Sequence, residues 1–299
     1  MLLWGWGLTG LGAVGCQREI APAASPSVPM AELTASPALA APSSLDYTTY
    51  DLPSSTVHVL TIPPGAKYRL DVALSDTLTP LPILAEEAGA IAAINAGFFD
   101  PQNGLTTSHI TLQNRLVADP QQNPRLMENP DLAPYLDMIL DRSELRIYDC
   151  EGVVQYAIAR HSAAIPASCI LDSAVGAGPQ LLPEITGYEE GFLADNNQGE
   201  VVRDAVGSRF PNARSAVGIK ADGSVVFVMA GQRPDVAAPT GLSFEDLAAF
   251  LQELGVTSAL NLDGGSSSGL FYQGETFYGR LDAAGRPVER PIKSLLWVR

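Results

Sequence analysis

One stretch of the chain concentrates residue types that do chemistry. Asn261-Leu262-Asp263-Gly264-Gly265-Ser266-Ser267-Ser268-Gly269 follows the apolar run Ser258-Ala259-Leu260. An apolar run that ends in this way predicts a strand whose tip presents a carboxylate and closely approachable backbone to a ligand. Successive backbone N–H groups suit an anion such as a phosphate, and the carboxylate suits proton transfer or a cation. A Gly/Ser turn between two strands explains the same composition, so both interpretations stay open from this stretch alone.

An earlier stretch repeats this arrangement at a constant offset of 166 positions. The matching residues are Gly89, Ala93, Ile94 and Asn95 in the first stretch and Gly255, Ala259, Leu260 and Asn261 in the second. Both stretches predict a helix, a glycine, an apolar strand and then a loop that contains glycine. We expect two loop tips at one end of a shared sheet, where ligands bind in open α/β architectures. Chance similarity of two helix-to-strand units is the alternative.

The elements that position these loops are mostly strands. Alternating residues predict strands over 56–62 and 68–74, and paired apolar runs predict four later hairpins. A short helix over 82–88 ends at Gly89, and Ser243 with Asp246 forms a capping box at the start of a helix that runs to Leu254. Residues 120–134, rich in Pro, Asn and Gln, predict a long surface loop. The pattern predicts an α+β fold, with one domain on a mixed, largely antiparallel sheet and a few packed helices.

Composition limits the classes of partner. The 299 residues are 46% hydrophobic and 17% charged, which is enough for a large core. Asp and Glu number 33 against 18 Lys and Arg, giving a net charge of −15. Because no basic patch stands out, we expect no nucleic-acid partner.

The N-terminal region predicts export. Residues 2–14 are apolar and too few to span a bilayer, so residues 1–16 are interpreted as a signal peptide or lipoprotein signal, with Cys16 as the lipidation site. Residues 17–45, rich in Ala, Pro and Ser, predict a disordered tether before a domain at 46–299. We expect a periplasmic or extracellular protein that contacts the membrane only through its N-terminal anchor. A buried N-terminal helix is the alternative.

Two cysteines remain after Cys16. Cys150 and Cys169 are the pair that one disulfide needs in an oxidising compartment, and closing their loop contributes ~3 kcal/mol in the chain-entropy model. Two free buried thiols are the alternative.

Four stretches taken together resemble a known family. They are Ala93-Ile94-Asn95-Ala96-Gly97-Phe98-Phe99, Gly176-Ala177-Gly178-Pro179, Ala213-Arg214-Ser215-Ala216-Val217-Gly218 and Asn261-Leu262-Asp263-Gly264-Gly265-Ser266-Ser267. This set resembles the signature of the phosphodiester glycosidase family over roughly Tyr68 to Arg299, with Ala96 and Ser266 standing where many members have glycine. The resemblance implies cleavage of a sugar-1-phosphodiester between the anomeric carbon and the bridging oxygen. Its substrate is then a sugar phosphodiester or an envelope polysaccharide.

The chemistry of such a reaction assigns roles to these residues. Asp263 is the carboxylate for an oxocarbenium-like carbon, Arg214 a bidentate phosphate ligand, and Asn95 a residue that orients a hydroxyl or a phosphate oxygen. An exposed charge at a strand end is the alternative for Arg214, and core packing is the alternative for Phe98. The expected substrate-binding residues are Gly97, Phe98, Gly178, Ser215, Gly264, Gly265, Ser266 and Ser267.

Three other interpretations use the same residues or their neighbours. Gly265-Ser266-Ser267-Ser268-Gly269 matches the GxSxG nucleophile elbow, but a strand-like segment follows it and all three histidines precede it, which disfavours a serine hydrolase. No cofactor is required, although Asp263, Asn95 and a hydroxyl leave a Ca²⁺ or Mg²⁺ site open. A non-catalytic envelope protein that binds a glycan or sugar phosphate uses the same residues and is the alternative function.

Overall fold

The fold is described from a computed structural model that covers residues 44–65, 67–237 and 239–299. The predicted signal at 1–16, the lipidation of Cys16 and nearly all of the tether at 17–45 lie outside these residues. No helix within the described residues has the length and apolar character needed to cross a membrane.

Strands dominate the described part of the chain. They are β1 (Asp46–Asp51), β2 (Thr56–Ile62), β3 (Leu70–Thr79), β4 (Ala92–Asn95), β5 (Ile110–Leu112), β6 (Arg115–Ala118), β7 (Ser143–Cys150), β8 (Val153–Arg160), β9 (Cys169–Gly176), β10 (Gln180–Leu182), β11 (Leu193–Asp195), β12 (Val201–Asp204), β13 (Arg214–Lys220), β14 (Val225–Gly231), β15 (Val256–Asn261), β16 (Gly269–Tyr272), β17 (Glu275–Tyr278) and β18 (Ile292–Val298). The α-helices are α1 (Leu81–Ala88), α2 (Pro124–Met127), α3 (Leu136–Leu140) and α4 (Phe244–Glu253).

These strands form three larger sheets and a two-stranded ribbon, β11-β12. Sheet I has the order β1-β2-β14-β13-β15-β10, sheet II the order β17-β16-β4-β18-β3, and sheet III the order β6-β5-β9-β7-β8. Every strand pair within the described residues is antiparallel. The prediction of a largely antiparallel arrangement is confirmed, whereas the single mixed sheet is wrong. The fold is mostly β with few helices.

Alternate side chains along each strand face opposite sides of its sheet and pack in different hydrophobic layers. In β14, Phe227 and Met229 face a core shared by the three sheets, while Val226 and Val228 face the α4 side. This two-residue period is the geometry of an extended strand. In β4 of sheet II, Ile94 likewise enters the shared core and Ala93 packs in a cluster with α1. Both faces of these strands are therefore covered, which explains their continuous apolar runs.

The two main helices begin and end at the predicted signals. Ser243 and Asp246 cap the start of α4 reciprocally, in a capping box. The helix α1 ends at Gly89, which adopts a left-handed φ of 71°. Such a conformation suits glycine because a side chain would be strained there.

The four predicted hairpins are present as β5-β6, β7-β8, β13-β14 and β16-β17. Two features were not anticipated. The C-terminal strand β18 lies between β4 and β3, and its run of large apolar residues reflects burial within sheet II. The expected loop at 120–134 instead contains short helical turns, two of them capped by Asp119 and Asn123.

Cys150 and Cys169 form the expected disulfide. They are direct partners across β7 and β9, so the bond joins neighbouring strands of sheet III.

Candidate functional site

A cleft of about 410 Å³ lies where the loops after β4 and β15 meet the start of β13. Its walls consist of Phe98, Ala205, Val206, Gly207, Asn212, Arg214, Asn261, Asp263, Gly264 and Gly265. Asp263 is the one carboxylate among these lining residues of the described chain. The cleft therefore brings together three of the four stretches that the sequence singles out.

Direct contacts join the two repeated loop tips. The Asp263 N–H donates to Ala96 O at 2.8 Å, and Asn95 Nδ2 donates to Asp263 O at 2.5 Å. The predicted convergence of the two tips is confirmed. The shared sheet is wrong, because β4 belongs to sheet II and β15 to sheet I. The tips meet across the edge between two packed sheets.

Asp263 sits in an environment that favours its neutral form. Burial raises the pKa of its carboxyl from 3.8 to about 6, while the Ser267 side chain, the Arg290 charge and the Gly264 N–H act in the opposite direction. Burial dominates because removing the carboxylate from water raises its free energy by more than these three groups lower it. A carboxyl that changes charge near neutral pH within a cleft is typical of a functional group.

Asn95 lies behind the Asp263 loop. Its side chain is buried, and its Oδ1 accepts hydrogen bonds from Ser215 Oγ at 2.6 Å and from Gly269 N at 3.1 Å. With Nδ2 bound to Asp263 O, the amide connects β4, β13 and the loop after β15. These contacts indicate that Asn95 and Ser215 position the loop, rather than reaching a ligand as the sequence suggested.

The guanidinium donors of Arg214 are bonded to backbone carbonyls of the protein. Its guanidinium is buried and makes four hydrogen bonds to backbone carbonyls, those of Leu242, Val206, Gly207 and Phe210, at 2.6–3.0 Å. Burial lowers its pKa to about 10, so the group stays charged at neutral pH. A guanidinium has five N–H donors, so little capacity remains for the bidentate phosphate contact expected from the sequence. Arg214 instead holds the Val206–Gly207 wall of the cleft.

Arg290, which was not among the residues expected from the sequence, is the cation that acts on the Asp263 carboxyl within the described part of the chain. Its Nη1 donates to Ser266 Oγ at 3.0 Å, its guanidinium lies 5.2 Å from the Phe99 ring centroid, and its charge lowers the pKa of Asp263. The side chain is half-buried, and Ser266 is its one hydrogen-bond partner among the described residues. Arg290 lies in the irregular segment before β18, where no sequence pattern marked it.

The backbone N–H groups after Asp263 are largely used within the loop. Gly265 N donates to Ala213 O at 2.8 Å and Ser267 N donates to Gly264 O at 3.2 Å. Gly264 N faces the Asp263 carboxyl. The anion nest expected over Gly264 to Ser267 is therefore mostly closed by the short 3-10 helix Gly265–Ser267.

Two glycines that were expected to contact a ligand instead pack against other segments of the chain. A Cβ on Gly178, whose φ is +109°, would lie 2.5 Å from Glu190 Oε2. A Cβ on Gly97 would lie 2.9 Å from Gly176 O. These positions need glycine so that neighbouring backbone segments can pack closely. The lining of the cleft includes neither residue.

Phe98 forms part of the cleft wall, as expected from the sequence. Its half-buried ring lies 5.7 Å from the ring of Phe192, on which the Arg142 guanidinium stacks at 3.7 Å. Burial lowers the pKa of Arg142 to about 9. The ring of Phe98 thus presents an apolar surface to the cleft and is supported from behind.

The sequence allowed a Ca²⁺ or Mg²⁺ site with Asn95 as one of its ligands, but Asn95 does not fit that role. Asn95 Oδ1 already accepts two hydrogen bonds, and the described residues contain no cluster of three or more His, Cys, Asp or Glu side chains that fits a metal ion. Asp263 and a nearby amide are what the cleft offers a hard cation.

A second cleft, of about 680 Å³, is larger but differs in chemistry. It is lined by residues of β8 and the β2–β3 connection, and most of its wall is apolar. No carboxylate lines it among the described residues. The smaller cleft at Asp263 is therefore the candidate site.

Solved structures share this fold. The zebrafish N-acetylglucosamine-1-phosphodiester alpha-N-acetylglucosaminidase catalytic domain, auto-inhibited by its pro-peptide, matches with a TM-score of 0.59 and 17% identity, over 89% of this chain and 85% of that one. A Burkholderia pseudomallei protein matches with a TM-score of 0.58 and 17% identity, over 82% and 74%. A hypothetical Synechocystis protein matches with a TM-score of 0.54 and 19% identity over 85% of this chain, which spans 61% of that protein. At these identities the likeness shows the fold.

Sequence comparison identifies the family to which the chain belongs. No curated protein matches the chain by sequence. The phosphodiester glycosidase profile matches residues 88–299, which include the loops after β4 and β15, the start of β13 and Arg290. Since this match covers well over half of the chain and contains the elements that build the cleft, the protein belongs to the phosphodiester glycosidase family.

Proposed function

We propose that the protein hydrolyses the glycosidic C–O bond of a sugar-1-phosphodiester and releases a free sugar and a phosphomonoester. The observation that carries this proposal is the Asp263 carboxyl, which has a pKa raised to about 6 and lies in a cleft beside Arg290. Family membership and the named substrate of the zebrafish relative agree with it.

In this arrangement Asp263 acts on the sugar part of the substrate and Arg290 acts on its phosphate. The charged form of Asp263 stabilises positive charge on the anomeric carbon as the bond to the bridging oxygen breaks. Water adds to that carbon and loses a proton to solvent, and the bridging oxygen leaves with the phosphorus as part of the phosphomonoester. Arg290 neutralises the phosphate, for which a guanidinium provides paired donors. Because phosphate is a good leaving group, one carboxylate suffices without a strong general acid.

Remaining residues shape the cleft. Asn95 and Ser215 hold the Asp263 loop, Arg214 holds the facing wall, and Phe98 packs against the sugar. The Cys150–Cys169 disulfide supports an oxidising compartment, so we place the reaction outside the cytoplasm, on a sugar phosphodiester or envelope polysaccharide.

The test follows the two products of an α-N-acetylglucosamine-1-phosphodiester incubated with the full-length chain. Free sugar and phosphomonoester are quantified separately, with and without chelator. We expect release of free sugar from the unchanged protein and its loss in Asp263→Asn. Asp222→Asn, at an exposed hairpin acid, is the matched control and retains turnover.

Other outcomes separate the alternatives. Release of sugar-1-phosphate would mean cleavage on the phosphorus side, and loss of turnover with chelator would add a metal ion to the mechanism. Binding without turnover across a panel of sugar phosphodiesters would favour the non-catalytic glycan-binding protein.

A further inference from the structure

Asn261 carries a buried amide oxygen that contacts no protein donor. The residue is 2% exposed and lines the cleft two positions before Asp263. Within the described chain, no hydrogen-bond partner is found for its Oδ1 atom. Buried polar atoms without a partner are rare in native proteins, and each one requires an explanation.

The hydrogen bonds of Asn261 fix the direction of this oxygen. Nδ2 donates to Gly178 O at 2.8 Å, and because a carbonyl can only accept, the amide nitrogen must be the atom that faces it. Gly178 is not part of the cleft lining, whereas Asn261 is. The nitrogen is therefore committed to the Gly178–Pro179 segment, and the oxygen is the buried polar atom of this cleft-lining side chain that remains without a partner among the described residues.

The backbone holds Asn261 rigidly in this position. Its N–H donates to Pro179 O at 3.0 Å, and its carbonyl accepts from Gly178 N at 2.9 Å. Together with the side-chain contact, three hydrogen bonds join Asn261 to the Gly178–Pro179 segment. An acceptor fixed in this way is preorganised for a ligand, since little conformational freedom is lost on binding.

A second asparagine in the cleft shows the contrast. Asn212 also lines the cleft, but its Oδ1 accepts from Ala213 N and from Arg280 Nη1, both at 2.9 Å. The unsatisfied oxygen is thus particular to Asn261 and is not a general property of the cleft wall.

We propose that Asn261 Oδ1 accepts a hydrogen bond from the bound sugar and selects substrates that carry a hydroxyl or acetamido N–H at the matching position. This inference rests on the proposed function of the cleft. Phosphate diester oxygens are acceptors and cannot satisfy an amide oxygen, so the phosphate does not face Asn261. The sugar therefore occupies the Asn261 side of the cleft, and the phosphate lies toward Arg290.

The test combines substrate analogues with variants of the full-length chain. The probes are the methyl phosphodiester of α-N-acetylglucosamine 1-phosphate, its 3-, 4- and 6-deoxy analogues, and the analogue with hydrogen in place of the acetamido group. Binding is measured by calorimetry and turnover by release of free sugar. The proteins are the unchanged chain, Asn261→Leu and the matched control Asn212→Leu.

The unchanged protein is expected to bind one analogue about 10- to 100-fold more weakly than the parent compound. Asn261→Leu should bind that analogue and the parent within about twofold of each other, because the acceptor is gone. Asn212→Leu should keep the difference. Should Asn261→Leu fail to fold, as judged by circular dichroism, Asn261→Ala replaces it.

Two results would overturn the inference while leaving the proposed function intact. One is turnover in which no analogue differs from the parent, and the other is the same analogue preference in Asn261→Leu as in the unchanged protein. Binding with the predicted preference but without release of free sugar would instead refute the glycosidase and support the role of Asn261. Absence of binding to every probe would overturn both.

Discussion

The chemistry proposed for the cleft depends on Asp263. Its carboxyl has a pKa of about 6, raised mainly by burial. The charged form is the one that stabilises an oxocarbenium-like carbon. We therefore expect kcat/KM to fall about tenfold for each pH unit below 6, and to level off above it. A pH–rate profile on a sugar-1-phosphodiester measures this, and a rate that increases toward pH 5 would assign the reactive role to the protonated acid.

The same shift affects folding stability. Between about pH 4 and 6 the folded protein keeps a proton on Asp263 that the unfolded chain has released, so stability falls as the pH rises through this window. Above pH 6 the destabilisation is fully present. Asp263→Asn should accordingly raise the free energy of unfolding at pH 7.5 by about 1–3 kcal/mol, with little change near pH 4. Urea unfolding at the two pH values checks this, and equal effects at both would contradict the burial argument.

Two arginines near Asp263 are expected to respond differently to substitution. Arg290→Met should lower kcat/KM by about 10²-fold or more while the protein stays folded, because its guanidinium is half-buried and bonded to Ser266 alone among the described residues. Arg214→Met should reduce stability instead, since four buried carbonyls lose their donor. Kinetics and thermal unfolding of both variants separate the roles. Arg286→Met, at an exposed arginine, is the control for charge.

At the scale of elements, the cleft depends on close packing of the segment after β9. Gly178 takes a φ of +109°, and its carbonyl anchors Asn261. Glu190, whose carboxylate accepts from Ser143 N, Ser143 Oγ and Gln180 N, lies directly against it. The Gly-rich block thus joins β15 to a buried carboxylate rather than to a ligand.

Gly178→Ala should therefore destabilise the protein by about 2 kcal/mol or more beyond the cost of its backbone conformation. Gly274→Ala is the matched control, because Gly274 has a φ of +85° with no atom within 4 Å of an added Cβ. Chemical denaturation of the two variants gives the difference. Equal losses would show that the Glu190 contact adds nothing.

At the scale of the whole molecule, the disulfide ties two strands of sheet III. Replacing both Cys150 and Cys169 by serine should lower the free energy of unfolding by about 3 kcal/mol, as expected for a closed loop with a sequence separation of 19. Unfolding measured with and without a reductant tests this. The reductant should destabilise the unchanged protein and leave the double variant unaffected, and an effect on the double variant would point to another cysteine.

The sequence by itself determined much of the local structure and identified the family. The capping box at Ser243, the left-handed turn at Gly89 and the hairpins follow from short-range rules, which depend on a few neighbouring residues. Asp263 could be proposed as a site residue because glycines and hydroxyls after an apolar strand are a local signal. The family followed from the combination of four such stretches.

Only the tertiary structure decided what each polar side chain contacts. Asn95 and Arg214 were expected to meet the substrate, yet both are bonded to backbone groups of distant segments. The roles proposed for Arg290 and Asn261 depend on contacts with Ser266 and Gly178, which other elements supply, and no local pattern encodes those contacts. The division into three antiparallel sheets likewise depends on long-range strand pairing, such as the insertion of β18 between β4 and β3. Local sequence fixes which residues form a strand, whereas burial and hydrogen-bond satisfaction in the folded chain fix which partners they find.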